Sequence, residues 1–168
     1  MAYVSLDSDQ IKKAHKKHKY TKTQVEQLEK CMDQKDGPLF FMKTFMKIQH
    51  PVKGSIPFHP FPYQERLIAS YNDHRFSIAM LPRQTGKTTC ASGFLIWYAM
   101  FRPDSQILIA AHKYAGASDI MSRVRYAYEM LPSWIKAGVT QYNRNSIEFD
   151  NGSKISATTT TENTGRGM

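Results

Sequence analysis

Residues 76–89, which read FSIAMLPRQTGKTT, decide the fold that we expect for this chain. Residues 76–81 are apolar apart from one serine, which is typical of a short buried strand. A turn is expected over residues 82–88, and the apolar run over residues 89–101 predicts a helix. An apolar strand that leads through a tight turn into an apolar helix is the unit from which parallel α/β sheets are built.

The alternation of strands and helices continues after this stretch. Residues 106–111, QILIAA, predict a second buried strand, and the spacing of apolar residues over 115–131 predicts a second helix. This order indicates a parallel sheet flanked by helices, which is an α/β fold. Further on, residues 146–149 and 154–157 flank an Asn-Gly turn, which predicts a β-hairpin.

The residues before these elements fall into two stretches of different composition. Residues 1–49 form a Lys-rich segment in which two short helices are expected on either side of Gly37-Pro38. Residues 50–62 contain four prolines and are expected to form an extended loop, after which Pro62 can begin a helix. We therefore expect a small helical segment, residues 1–49, before an α/β domain that occupies residues 50–168.

The overall composition is that of a basic, core-forming protein. Of 168 residues, 41% are hydrophobic, and Lys plus Arg outnumber Asp plus Glu by 23 to 14, which gives a net charge of +9. This excludes a wholly disordered chain, and Cys31 and Cys90 lie too far apart for a CxxC metal motif. The apolar run over residues 94–101 is far shorter than the roughly 20 residues of a membrane span. Without a charged and then apolar leader, the chain is expected to be intracellular.

Six lysines crowd the first 22 residues, and only two acidic residues accompany them. The lysines are Lys12, Lys13, Lys16, Lys17, Lys19 and Lys22. Such a run is usually a solvated arm or helix face. The alternative is contact with a polyanion, because each phosphate that a lysine neutralises releases counterions. Charge alone leaves both interpretations open.

Residues 82–89, PRQTGKTT, carry the chemistry of a phosphate-binding loop. Such a loop needs backbone N–H donors, a compact cation and a hydroxyl for Mg²⁺ at the start of one helix. Gly86 lets the backbone approach a phosphate, Lys87 can reach the β- and γ-phosphates, and Thr88 can offer its hydroxyl to Mg²⁺. Leu81 stands where such loops usually have their first glycine, so this loop is a variant.

Three further side chains are candidates for contact with the same nucleotide. Arg83 is either a surface arginine of the turn or a guanidinium that neutralises charge beside the triphosphate. Upstream of the loop, the amide of Gln64 can pair with an adenine edge, and the ring of Tyr63 can cover the base. Most glutamines are merely solvated, so it is the position of Gln64 before the loop that favours adenine contact.

The sequence lacks the acidic pair that an ATPase of this kind needs. In that pair the Asp supports Mg²⁺ and the Glu polarises the attacking water. Glu148 and Asp150 lie in a hairpin pattern, which is the wrong context for such a pair. We therefore expect a P-loop NTPase fold of the RecA-like, ASCE type, with a parallel sheet flanked by helices. It is expected to be incomplete at its C-terminal end, without its Walker B strand, as in an N-terminal fragment.

At these residues the sequence resembles the large terminase subunit of tailed bacteriophages, most closely that of the contractile-tailed, T-even-like group. The resemblance covers most of the chain from about Lys47 and is carried by Pro62-Tyr63-Gln64, residues 81–89, Ala111-His112-Lys113 and residues 146–153. Phosphate loops of that family typically lack the first glycine and carry an arginine, as this loop does. The resemblance implies an ATP-driven motor that translocates viral double-stranded DNA into proheads.

The resemblance also implies site residues and cofactors. The implied cofactors are ATP and Mg²⁺, with Mg²⁺ on the hydroxyl of Thr88. The nucleotide would contact Tyr63, Gln64, Pro82, Arg83, Gln84, Thr85, Gly86, Lys87, Thr88 and Thr89. The implied catalytic residues are Arg83, Lys87 and Arg166, the last of which would act on the ATP of a neighbouring subunit.

The partners implied by the resemblance are viral double-stranded DNA, the portal protein and the small terminase subunit. A homo-oligomeric ring on the prohead, in the host cytoplasm and without membrane contact, is implied as well. The nuclease domain of the family would lie outside these residues, and this chain by itself is expected to be inactive.

Two other functions stay open at the level of sequence. A superfamily-two helicase or translocase also places a glutamine motif upstream of a Gly-Lys-Thr loop, although such loops usually begin with small residues and glycines. A non-catalytic DNA-binding assembly protein with a degenerate nucleotide fold would suit the Lys-rich segment and the missing acids. The intact pair Lys87-Thr88 argues against that interpretation.

Overall fold

The computed structural model describes residues 10–160 of the chain. Within them the chain forms five helices and six strands. The helices are α1 (Lys22–Met32), α2 (Gly37–Phe45), α3 (Pro62–Asp73), α4 (Lys87–Phe101) and α5 (Tyr114–Glu129). The strands are β1 (Lys47–His50), β2 (Gly54–Pro57), β3 (Gln106–Ala111), β4 (Val139–Tyr142), β5 (Ser146–Phe149) and β6 (Lys154–Thr159).

The main sheet is mixed, which corrects the expectation of a parallel sheet. Its strand order is β3-β6-β5-β4, and only β3 and β6 run parallel. The pairs β5-β6 and β4-β5 are antiparallel. The Asn-Gly turn forms the predicted hairpin between β5 and β6, with Gly152 at a φ of +82°. Since a left-handed residue is what such a turn requires, this hairpin is fixed locally by its sequence.

The predicted helices form close to their expected bounds because their signals are local. Helix α1 begins with a capping box in which the Thr21 hydroxyl accepts from Gln24 N and the Gln24 side chain accepts from Thr21 N. Pro62 opens α3, as expected for a residue whose fixed φ suits the first helical turn. The helix expected over residues 39–48 ends earlier, because Lys47–His50 instead pairs with Gly54–Pro57 as a two-stranded antiparallel sheet. Part of the expected extended loop is therefore a strand.

Helix α4 packs against three other helices, α2, α3 and α5, and also contacts β3 and β6. Trp97 is completely buried, and its Nε1 donates to the carbonyl of Cys31 at 2.7 Å. Met121, Val124 and Tyr128 of α5 are buried against the sheet. The N-terminal helices therefore share one hydrophobic core with the α/β elements.

The strand expected over residues 76–81 does not form, and this prediction is wrong for the described residues. Phe76, Ile78 and Met80 are 83%, 96% and 93% exposed, and no strand within residues 10–160 pairs with them. The apolar pattern is present, but a strand needs a neighbour to satisfy its backbone groups and to cover its side chains. The second expected strand, β3, does form, although Ile109 is its only fully buried residue.

No helix in the described part of the chain is long and apolar enough to cross a membrane.

Candidate phosphate-binding site

The turn expected over residues 82–88 ends at Gly86, two residues earlier, and leads from segment 76–81 directly into α4. Gly86 is the N-cap of that helix, and Lys87 is its first residue. No side chain caps the helix start, and its first turn contains no acidic residue. The first backbone N–H groups of a helix lack acceptors within the helix and carry a partial positive charge. The start of α4 therefore offers donors to an anion.

Glycine is the residue that fits position 86, because it has no Cβ. Its φ of +75° and ψ of 13° lie in the left-handed region, which residues with a Cβ rarely adopt. A Cβ at this position would also lie 2.6 Å from Nε2 of Gln64. Gln84 also has a positive φ, of 63°, so the turn holds backbone strain at a residue that is not glycine.

Tyr63 and Gln64 reach the loop through a single backbone carbonyl. The Tyr63 hydroxyl donates to the Thr85 carbonyl at 2.8 Å, and Gln64 Nε2 donates to the same oxygen at 3.0 Å. Gln64 Oε1 accepts from Phe61 N at 3.0 Å, and the side chain is only 6% exposed. The structure thus brings both residues to the loop, where they hold its backbone. Sequence reasoning missed this contact, and adenine contact by either residue stays a prediction.

Lys87 folds back over the loop that precedes it. Its Nζ donates to the carbonyl of Pro82 at 3.0 Å, and the Thr85 hydroxyl donates to the same carbonyl at 3.0 Å. The ammonium group therefore lies across the loop, between its first residue and the start of α4. Arg83 is exposed and makes no hydrogen bond or ion pair with any other described residue.

Thr88 and Thr89 lie in the first turn of α4 and are both half-buried. The Thr88 carbonyl accepts from the Ser92 hydroxyl one turn later at 2.8 Å. Thr89 lines a cavity of about 440 Å³ between β1, α4 and α5, together with Ser92, Arg123 and Tyr126. Cys90 is fully buried, and burial raises the pKa of its thiol to about 11.

Arg166, the last of the expected catalytic residues, lies outside the described residues. Among the described residues, no group of three or more His, Cys, Asp or Glu side chains could hold a metal ion. No ion pair within residues 10–160 joins Arg83 or Lys87 to a carboxylate.

Comparison with known families decides what kind of protein carries this loop. A family model described as the terminase large subunit, T4likevirus-type, N-terminal, matches residues 78–168, which is more than half of the chain. The chain belongs to this family. The match begins inside the exposed segment 76–81 and includes the loop, α4 and every later element. The expected resemblance is confirmed, and this terminase chain is part of a phage DNA-packaging protein rather than a helicase.

Proposed function

We propose that this terminase chain binds the triphosphate of ATP at residues 82–88 and forms the first part of a DNA-translocating ATPase motor. The single observation that carries the proposal is the geometry at Gly86. A left-handed glycine places an uncapped helix start directly after a tight turn. The side chain of Lys87 lies over that same turn.

The residues present fit a magnesium nucleotide. The backbone N–H groups at the start of α4 would bind phosphate oxygens, and the hydroxyl of Thr88 would bind Mg²⁺. Lys87 would exchange the carbonyl of Pro82 for the β- and γ-phosphates, and exposed Arg83 would neutralise charge beside them. When bound, ATP supplies the γ-phosphoryl group whose transfer to water drives translocation.

A P-loop NTPase fold for the complete terminase follows from the same proposal. The exposed apolar segment 76–81 has the composition of an inner strand of a parallel sheet, and strands from the rest of the terminase would cover it. The acids that support Mg²⁺ and activate water would come with those strands, so this chain alone is proposed to turn over negligible ATP. Arg166 acting across subunits, the portal protein, the small subunit and the ring on the prohead are parts of this proposal.

The decisive experiment measures ATP binding by the chain before and after Lys87→Ala. We expect affinity for Mg-ATP to fall at least about 10-fold, because a charge-assisted contact to phosphate is worth roughly 1.5–3 kcal/mol. The matched control is Lys53→Ala, which removes one exposed lysine outside the loop and is expected to leave affinity unchanged.

Equal affinity in the Lys87→Ala variant and the unaltered chain would contradict the proposal. That result would favour a non-catalytic assembly protein that retains only the shape of the loop.

A further inference from the structure

The basic arm, residues 10–22, is held against the main sheet at its start. Ile11 is 4% exposed, and Val139 N at the start of β4 donates to the carbonyl of Lys12 at 2.9 Å. Lys13 forms a parallel β-bridge with Val139. The start of the arm thus pairs with the start of β4, which is an edge strand of the main sheet, and covers part of that edge.

Two lysine side chains donate hydrogen bonds between the start of the arm and the segment at residue 136. Lys12 Nζ donates to the carbonyl of Lys136 at 2.8 Å, and Lys136 Nζ donates to the carbonyl of Gln10 at 2.6 Å. Lys136 is only 4% exposed and also lies over the Tyr128 ring. Three residues after Lys12, His15 N donates to Asp150 Oδ2 at 2.9 Å. Residues 10–15 are therefore attached to the domain at several points.

The rest of the basic arm carries concentrated positive charge. Residues 16–22 contain four lysines and no acidic residue. Lys16, Lys17 and Lys19 are exposed, and no acidic side chain of residues 10–160 lies within ion-pair distance of them. The pKa of Lys12 is lowered mainly by burial; attraction to Asp150 opposes this lowering, and the smaller repulsion from Lys16 adds to it. An anionic partner would relieve this repulsion.

We infer that the basic arm is a docking surface for the phosphate backbone of duplex DNA. Residues 16–21 form neither helix nor strand before the start of α1, and six residues can span at most about 20 Å. Duplex DNA carries one negative charge per about 1.7 Å of its axis, so several phosphates face a stretch of that length. Lysines bind phosphates as point charges and read no base sequence, which suits a motor that moves along any sequence. The choice of DNA as the polyanion rests on the proposed function, whereas the charge argument does not.

The test compares the salt dependence of duplex binding in two charge-matched variants. The arm variant is Lys16→Gln with Lys17→Gln and Lys19→Gln, and the control variant is Lys35→Gln with Lys47→Gln and Lys53→Gln. All six lysines are exposed, so neither variant removes a core contact. Each phosphate neutralised contributes about 0.9 to the slope of log K against log salt, so the arm variant is expected to reduce the slope by about 3. The control is expected to keep the slope of the unaltered chain.

Three results would overturn the inference. The first is that the two variants have equal slopes, and the second is that the unaltered chain does not bind DNA. The third is that the arm variant no longer binds anionic vesicles but still binds DNA. A parallel ATP titration separates this inference from the proposed function, because the arm variant is expected to bind ATP normally. If Lys87→Ala leaves ATP binding intact while the arm variant loses DNA affinity, the motor proposal fails and the DNA surface stands.

Discussion

The carbonyl of Thr85 shows how single residues shape the candidate site. Two donors from α3 converge on this oxygen, which fixes the plane of the peptide that joins Thr85 to Gly86. In a trans peptide the N–H points away from the carbonyl, so the same two bonds set the direction of the Gly86 N–H. Tyr63 and Gln64 are therefore positioning residues for the loop, whatever base contacts they make.

Tyr63→Phe is expected to loosen the loop without changing its charge. Loss of the hydroxyl removes one hydrogen bond and leaves Gln64 on the carbonyl, so the free energy of unfolding should fall by about 1 kcal/mol. Affinity for Mg-ATP should fall by at most about 5-fold, the limit reached if all of this energy is needed to hold the loop in its binding conformation. Urea unfolding and a nucleotide titration measure the two effects.

The control for this prediction is Tyr98→Phe, since the Tyr98 hydroxyl makes no hydrogen bond with another described residue and the side chain is 37% exposed. Unchanged ATP affinity in Tyr63→Phe would show that the hydroxyl does not position the loop.

At the scale of elements, the segment 76–81 and strand β3 differ in whether a partner is present. Both are short and apolar, and both are predicted as buried strands from the same pattern. Strand β3 finds β6 in parallel register, from Gln106 opposite Lys154 to Ala111 opposite Thr159. The segment 76–81 finds no such neighbour among residues 10–160; the side chains of residues 76–80 stay exposed, and Leu81 is half-buried against the core.

Apolar residues in the two settings should therefore respond differently to truncation. In this chain, Ile78→Ala is expected to lower the free energy of unfolding by less than about 0.5 kcal/mol, because Ile78 is 96% exposed. Ile147→Ala in β5 is the matched substitution at a fully buried site and should cost about 2–5 kcal/mol. Chemical denaturation of the two variants gives both values, and a large loss for Ile78→Ala would mean that the segment is packed.

At the scale of the whole molecule, one hydrophobic core joins the N-terminal helices to the sheet through α4. Cys31 before the end of α1 and Cys90 in α4 are both fully buried in that core. Burial raises the pKa of the Cys31 thiol to about 12 and that of the Cys90 thiol to about 11. Both thiols are free, so they stay protonated in the folded protein well above neutral pH.

These raised pKa values predict a loss of stability at alkaline pH. A thiol of the unfolded chain ionises near pH 8.5, whereas the folded protein holds the proton up to about pH 11 or 12. The stabilisation is complete below pH 8.5 and falls as the pH rises through the folded values. Urea unfolding at pH 8 and pH 10 should show the loss.

The double variant Cys31→Ala with Cys90→Ala should lose less stability than the unaltered chain between the same two pH values. Some loss should remain, because burial also raises the pKa of Tyr128. An equal loss in the two proteins would contradict the assignment to the thiols.

The sequence by itself determined the features whose signals lie within a few residues. The capping box at Thr21, the proline that opens α3, the Asn-Gly hairpin and the turn into α4 each follow from local backbone and side-chain preferences. The glycine, lysine and threonine of residues 86–88 are adjacent in sequence, so the same local reasoning predicts a phosphate-binding loop, and phosphate binding there stays a proposal.

Only the tertiary structure decided which surfaces meet. Whether residues 76–81 form a strand depends on a neighbour that the apolar pattern cannot supply. The contact of Tyr63 with Thr85, and the pairing of Lys13 with Val139, join residues far apart in the chain. Long-range pairing reflects packing between elements rather than the preference of any one of them. The charge pattern left a solvated arm and contact with a polyanion both open, and it gave no sign that the arm begins beside β4.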